Sequence, residues 1–420
     1  MASKQSKLPL RSVFSGLPRE YWLIWLSTLV NQLGAFLVIL LSLYLAAERQ
    51  LSASTVGLIV GCASGANSIG ILAGGLCADR WGRKSTLVTA YLVTALSVLG
   101  VAFVSYWPVI AVLVVLASYW NGTARAPLFT IVGELVEPND RVRAYSLLSW
   151  ATNIGLAGAS VAGGMLATVD FRLTFSVDAL TTALAGLLIL VFVKDRQPLS
   201  TGERKRGGST VRILGDRVLL VFALCGFLIA LILSQKTFSL PLAIRADDIS
   251  LHVYGTLMAA NFMVIVLFQP LLIKAMGGLR KHVAMALGAV LVGIGFGCVA
   301  LADAPYVYVI AAGIWSVGEI IGTSCAPAAL LELSPPDQRA RYQGVAMFAF
   351  SSAVFAGPVM GGLLLGDASS SALWIACLVI GLVAAATHLA SGPARQSRAL
   401  ALSGGDRQDE LSPDVRKVGG

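Results

Sequence analysis

A chain of 420 residues that is 56% hydrophobic, carries 43 further glycines and is only 13% charged has too little polar side chain to cover a water-facing surface. Its formal net charge of +9 does not mark a nucleic-acid binder, because the Lys and Arg residues sit in the leader, alternate loops and the tail, with no basic face interleaved with aromatics. Soluble enzyme, disordered chain and secreted mini-domain are excluded, and lipid is left as the solvent.

Twelve hydrophobic runs are long enough to cross ~30 Å of hydrocarbon as helices. After a leader over 1–20, the first six are 21–46, 54–77, 85–104, 108–134, 143–168 and 172–193. The first run is longer than a signal-peptide core and is read as a retained helix. A polar linker over 194–216 follows, the longest polar interruption in the chain. The remaining runs are 217–243, 252–275, 282–302, 305–333, 341–366 and 371–390, and the polar tail over 391–420 is predicted to be disordered. The expected fold is thus an all-α membrane protein with six helices in 21–193 and six in 217–390. With both ends on one side, that side holds 26 Lys and Arg residues against three (Arg49, Arg172 and Arg245) on the other, so both termini are predicted to be cytoplasmic.

The two halves repeat. A shift of 198 residues lays Glu134 on Glu332, Pro138 on Pro336, Arg141 and Arg143 on Arg339 and Arg341, and Gly163-Gly164 on Gly361-Gly362, without a gap. Because the shift spans six helices, each half keeps its orientation, the parallel repeat of carriers whose two bundles rock about a midplane site. The six cysteines lie in hydrophobic runs, with no CxxC and no His at ligand spacing, which argues against disulfide and zinc frameworks.

Between the second and third runs lies Gly75-Leu-Cys-Ala-Asp79-Arg80-Trp-Gly82-Arg83-Lys84. This loop resembles the signature of the major facilitator superfamily, and the twelve-run layout resembles it over nearly the whole chain. In the eleventh run, Ala356-Gly357-Pro358-Val-Met-Gly361-Gly362 is similar to the Gly-Pro-x-x-Gly-Gly motif that marks antiporters of that family, where it belongs to the fifth helix. The fifth run here keeps Gly155, Gly158, Gly163 and Gly164 but has Ala159-Ser160 at the Gly-Pro position. The resemblance implies two six-helix bundles around a central cavity lined by helices 4 and 10. It also implies that Asp79, with Gly75, Arg80, Gly82, Arg83 and Lys84, forms a charge-paired latch of the outward-open state.

A charge at the bilayer centre costs at least ~2.5–3.5 kcal/mol, so ionisable residues inside the runs are the most informative. Glu319 lies mid-way along the tenth run, with Trp315 and Thr323 four residues to either side on one helical face. Its carboxylate is the candidate for proton coupling. Arg125 in the fourth run, one turn from Asn121, could bind an anionic substrate, pair with Glu319 or position its helix. Lys236, beside Gln235 in the seventh run, is read as lying toward the outer side and snorkelling. Asp178 is read as structural, neutralised by Arg172. Glu134 and Glu332, beside Arg141, Arg143, Arg339 and Arg341, read as a salt-bridged cytoplasmic gate. The expected cavity gathers Gln32, Trp120, Asn121, Arg125, Gln235, Trp315 and Thr323, an amphipathic pocket suited to bulky apolar or cationic compounds. The glycines at 155, 163, 164, 357, 361 and 362, with Pro358, are read as close helix packing.

No nucleophile–base pair, HExxH or Walker loop is present, so neither an enzyme nor an ATP-driven pump is expected. The resemblance points to a monomeric drug:proton antiporter in the cell membrane, powered by the proton gradient and needing no cofactor or metal. Its partners would be a small-molecule substrate, protons and membrane lipid, and no nucleic acid. The alternative is a proton-coupled carrier of a defined anionic metabolite held by Arg125.

Overall fold

A computed structural model describes residues 16–137, 140–193, 215–247, 249–276, 279–302, 304–335, 338–367 and 370–411, apart from the side chains of 142, 251, 270, 273, 274, 339–341, 366, 367, 370 and 403–411. The side chains of Arg339 and Arg341, most of the 194–216 linker, and Pro138 and Pro336 of the repeat lie outside the described residues.

The described residues are helical, with no strand among them. The helices are α1 (Arg19–Leu33), α2 (Phe36–Ala47), α3 (Ala53–Trp81), α4 (Arg83–Phe103), α5 (Trp107–Leu135), α6 (Arg141–Leu166), α7 (Phe171–Phe192), α8 (Arg217–Leu233), α9 (Ser239–Ala246), α10 (Leu251–Ala275), α11 (Lys281–Cys298), α12 (Pro305–Leu333), α13 (Arg339–Asp367), α14 (Ser370–Ala390) and α15 (Gly392–Leu411). Eleven segments among the described residues are long and apolar enough to cross a membrane. Of the twelve expected runs only α6 is missing from that set; its 26 residues suffice in length, but arginines at its start and Ser, Thr and Asn along it lower its apolar content. The chain is a multi-pass membrane protein.

Local chemistry sets the boundaries. α3 and α4 are separated by Gly82 alone, at φ +86°, a backbone conformation that side-chain-bearing residues rarely adopt. Asp170 accepts the Arg172 N–H at 2.7 Å to cap α7, and Asp216 accepts the Val218 N–H at 3.0 Å to cap α8. Within the tail predicted to be disordered, the structure carries α15 over 392–411, and residues 412–420 lie outside the described residues. Polar composition misled there, because Arg395 and Arg398 bond to groups on the preceding helices.

By packing, the chain divides into two compact units. The first comprises 1–50, 62–202 and 250–266; the second comprises 51–61, 203–249 and 267–420. In the first, α4 packs on α5 and α7, and α1 on α6 and α7. In the second, α11 packs on α12 and α14, and α8 on α13 and α14, the same scheme repeated.

Two runs expected to be single helices are broken, at corresponding places. The first run splits at Gly34-Ala35 into α1 and α2. The seventh splits into α8, a 3-10 turn over Ser234–Lys236, and α9. Glycine faces cradle both breaks. A Cβ on Gly155 would lie 2.5 Å from Gln32 Cβ and one on Gly163 3.0 Å from the Phe36 ring; one on Gly357 would lie 1.7 Å from Ser234 Oγ and one on Gly361 2.9 Å from the Phe238 ring. The next glycines admit another helix: Gly164 meets Gly255 at the start of α10, and Gly362 meets Gly57 at the start of α3. The shift that maps Gly164 onto Gly362 also maps Gly57 onto Gly255.

Candidate substrate cavity and coupling site

In the second unit the break after α8 places Lys236. Ser234 Oγ donates to the Leu231 carbonyl at 2.7 Å, Gln235 Nε2 to the Gly357 carbonyl at 2.9 Å, and Ser239 Oγ to Gln235 Oε1 at 2.6 Å. These bonds satisfy polar groups that an interrupted helix would otherwise leave exposed to hydrocarbon. The turn aims Lys236 across to α12, where its Nζ donates to both carboxylate oxygens of Glu319, at 2.8 and 3.0 Å. The two side chains are only 11% and 14% exposed. Lys236 is therefore the buried partner of Glu319 and does not snorkel; the helix break, invisible in hydropathy, turns it inward.

Glu319 also faces a cavity of about 270 Å³. Gly322 and Thr323 of α12, Phe222 and Gly226 of α8, and Gln343, Met347 and Phe350 of α13 contribute to its wall, with His388 from α14. Aliphatic, aromatic and thioether groups dominate it; the polar contributors are Glu319, Thr323, Gln343 and His388. Space is available because a Cβ at Gly226 or Gly322 would meet nothing within 4 Å.

Of the three wall members expected from this unit, Thr323 lines the cavity and two are elsewhere. Trp315 is fully buried, stacked on Phe296 at 4.8 Å and pressed into the slot left by Gly295. Four-residue steps drift by about 40° around a helix, so Trp315 and Thr323 flank Glu319 on opposite sides, about 80° apart, and only the Thr323 side borders the cavity. Gln235 is likewise fully buried, its amide engaged in the helix break.

The first unit holds a smaller polar crevice of about 60 Å³, lined by Asn31, Gln32, Ser118, Asn121, Asp178 and Thr182 among others. Asp178 is 4% exposed and Oδ2 accepts the Leu37 N–H at 2.8 Å, so it caps the free end of α2. That cap, and not the expected Arg172, engages the carboxylate; the signal missed in the sequence was Gly34, which breaks the first run. Arg125 lies one turn from Asn121, exposed and without a hydrogen bond or ion pair among the described residues. Trp120 is half-buried against the hydrophobic core of this unit and not in the crevice wall.

At the helix ends a latch residue pairs with a gate residue, and the side chains of Arg339 and Arg341 lie outside the described residues. Arg83 is ion-paired with Glu134, and Lys281 with Glu332. The 198-residue shift maps one pair onto the other. Arg143 meets Asp140 at 3.5 Å, and Arg141 is exposed. Asp79 and Arg80 are exposed on the last turn of α3, Asp79 without an ion pair among the described residues. Gly75 faces open space, Gly82 supplies the turn, and Lys84 follows it in the first turn of α4.

Repeated helical bundles, broken membrane helices and an ion pair beside an apolar cavity define a secondary-carrier architecture. The Major Facilitator Superfamily family model matches residues 24–245 and 222–412, and the chain belongs to that family of transporters. It is 25% identical over 382 residues to the MFS-type transporter YttB of Bacillus subtilis (strain 168), covering 89% of this chain and 95% of the relative. It is 24% identical to the multidrug resistance protein MdtH of Aeromonas salmonicida (strain A449), covering 88% and 93%. Among solved structures, a POT family transporter in complex with 5-aminolevulinic acid superposes with a TM-score of 0.76 at 14% identity, covering 91% of this chain and 98% of that one. A mutant of the nucleoside transporter NupG gives 0.71 at 16% identity, with 90% and 99% covered. These likenesses carry the fold.

Proposed function

We propose that the chain is a proton-coupled exporter of small hydrophobic or cationic compounds in the cell membrane, working by alternating access with both termini cytoplasmic. The observation that carries this reading is Glu319, held by Lys236 at the wall of a largely apolar cavity. One carboxylate can be neutralised by a proton or offered to a cationic group in the cavity, and these two occupancies exclude each other. Mutual exclusion at a shared group is the thermodynamic content of exchange. Lys236 compensates the carboxylate when neither occupant is present, which keeps the empty carrier from holding an isolated charge in hydrocarbon. Phe222, Phe350, Met285 and Met347 supply adaptable apolar surface, as low-selectivity binding requires. The likeness to a protein named for multidrug resistance agrees with this reading. Asp79, exposed at the end of α3, would serve as the movable half of a latch in another state of the cycle.

Everted membrane vesicles energised with a pH gradient test the proposal. Uptake of a lipophilic cation such as tetraphenylphosphonium should be driven by the gradient in the wild type and lost in Glu319→Gln. Undiminished gradient-driven uptake by the variant refutes the coupling role. One observation favours a second reading: Arg125, unpartnered among the described residues, would fix the anionic group of a defined metabolite. Arg125→Ala should then abolish transport of an anion, whereas the exporter reading leaves lipophilic-cation export substantially intact in that variant.

A further inference from the structure

A second cavity of the C-terminal unit, also about 270 Å³, lies where α11 begins, α12 finishes and α15 starts. Its polar rim is Arg280, Lys281 and His282 from the start of α11, with Arg395 and Gln396 from the start of α15. Apolar groups, Met285 and Leu333 among them, make the floor. Glu332 also lines it and is ion-paired with Lys281, so three cations and a histidine face one carboxylate.

Two features go beyond a solvated basic patch. Arg395 is only 6% exposed; its Nη1 lies 2.9 Å from His388 Nδ1, its Nη2 3.8 Å from Cys225 Sγ, and its guanidinium lies over the Phe222 ring at 5.1 Å. Its Nε, also buried, has no hydrogen-bond partner among the described residues. A buried N–H of a charged group left without an acceptor is costly, and an incoming anion would relieve that cost. In addition, the His282 ring packs on Gly392, where a Cβ would lie 2.5 Å from it, which brings the N-termini of α11 and α15 together. The positive end of α11, whose start is free, thus adds to the side-chain charge.

We propose that this pocket binds a phosphate-bearing amphiphile, the phosphate among Arg280, Lys281, His282 and Arg395 and the apolar portion along the floor. The apolar floor favours a phospholipid headgroup over free phosphate, and basic pockets between membrane helices recognise such headgroups. A phosphate seated here competes with Glu332 for Lys281.

The test is thermal unfolding of the purified full-length chain in detergent, titrated separately with short-chain phosphatidylglycerol, phosphatidylcholine of the same chain length, and inorganic phosphate. Phosphatidylglycerol is expected to raise the melting temperature saturably and phosphatidylcholine to have no matching effect. Arg280 is exposed, so Arg280→Gln should fold normally and weaken the phosphatidylglycerol half-saturation about fivefold, the ~1 kcal/mol expected of one cation at such a site. His282→Gln provides a second variant that leaves the Arg395 contacts in place. A saturable response to inorganic phosphate with the same Arg280 dependence supports the phosphate site and assigns it to the free anion. Equal responses to the two lipids, or equal phosphatidylglycerol affinity in the wild type and Arg280→Gln, overturn the proposal.

Discussion

Neutralising one member of the Lys236–Glu319 pair should damage the protein more than neutralising both. Nζ sits 2.8 and 3.0 Å from the two carboxylate oxygens, and neither side chain is more than 14% exposed. In Glu319→Gln the ammonium loses its counter-charge where water does not compensate, a loss of about 3–5 kcal/mol for a buried pair broken on one side. Lys236→Met leaves the carboxylate in the same position and should cost a similar amount. The double variant Lys236→Met/Glu319→Gln removes both charges while roughly preserving volume, and should return to within about 1 kcal/mol of the wild type. The coupling energy of the cycle is then several kcal/mol, well above the ~0.3–0.5 kcal/mol within which independent sites add. Unfolding of the purified protein in an SDS titration reads the stability, and pH-gradient-driven uptake in everted vesicles reads function in the same set. Glu319→Gln and the double variant should both lose coupling, although only the single variant is unstable. A double variant whose destabilisation equals the sum of the single ones would refute the pairing.

Three further outcomes are expected. Asp178→Ala should destabilise the N-terminal unit by about 1–3 kcal/mol, because it leaves the Leu37 N–H without an acceptor, whereas Asp178→Asn keeps an oxygen at that position and should cost less; equal loss in both on thermal unfolding would argue against the cap. Gly357→Ala should impair folding and be rescued by Ser234→Gly, since Ser234 Oγ and Cβ are the atoms it meets most closely, whereas Gly362→Ala meets the Ala53 carbonyl 2.5 Å away and no side-chain change should rescue it; expression and gel-filtration profiles of the two single variants and the rescued double variant decide this. Asp216 is held below the usual carboxylate range: burial pushes it up, but the Tyr342 hydroxyl, the Leu219 and Val218 N–H groups and the Arg398 guanidinium outweigh that. Its contribution to docking α15 is therefore fully present above about pH 4 and lost as pH falls toward the lowered value; limited proteolysis of α15 should stay unchanged from pH 8 to 5 and increase only below about 4, and release between pH 7 and 5 would contradict this assignment.

The membrane architecture was legible because it depends on composition. Runs of apolar residues, the excess of Lys and Arg in alternate loops and the 198-residue repeat each survive without coordinates. The pairings were less legible because they depend on where a helix stops being a helix. Hydropathy over 217–243 is continuous, yet Ser234, Gln235 and Ser239 supply the hydrogen bonds that let the backbone turn there, and the glycines at 357 and 361 make the room. Once the chain turns, Lys236 faces Glu319. The same sequence contained a usable clue: among the charges buried within the C-terminal runs, one cation and one carboxylate call for each other on electrostatic grounds. Arg395 and Arg398 escaped for another reason. A composition rule averages over the tail, whereas Arg398 places one guanidinium 2.7 Å from Asp216, 3.0 Å from the Leu333 carbonyl and 2.6 Å from the Tyr342 hydroxyl.

The repeat also indicates where chemistry has diverged on a shared scaffold. Scaffold contacts recur in both units: Arg83 with Glu134 and Lys281 with Glu332 at the helix ends, Phe36 on Gly163 and Phe238 on Gly361 at the breaks. The polar centre does not recur. The 198-residue shift that superposes the two ion pairs lays Asn121 on Glu319 and Arg125 on Thr323, so an amide and an exposed guanidinium in one unit stand where the other has a carboxylate and a hydroxyl. The breaks differ as well, since a carboxylate caps α2 where side-chain amide and hydroxyl groups close the turn before α9. Packing needs the same geometry in each repeat, whereas coupling needs a titratable group whose neutralisation is unequal across the cycle. On the proposed reading, Glu319 with Lys236 beside it, replaced by Asn121 in the other unit, would meet the second requirement without disturbing the first.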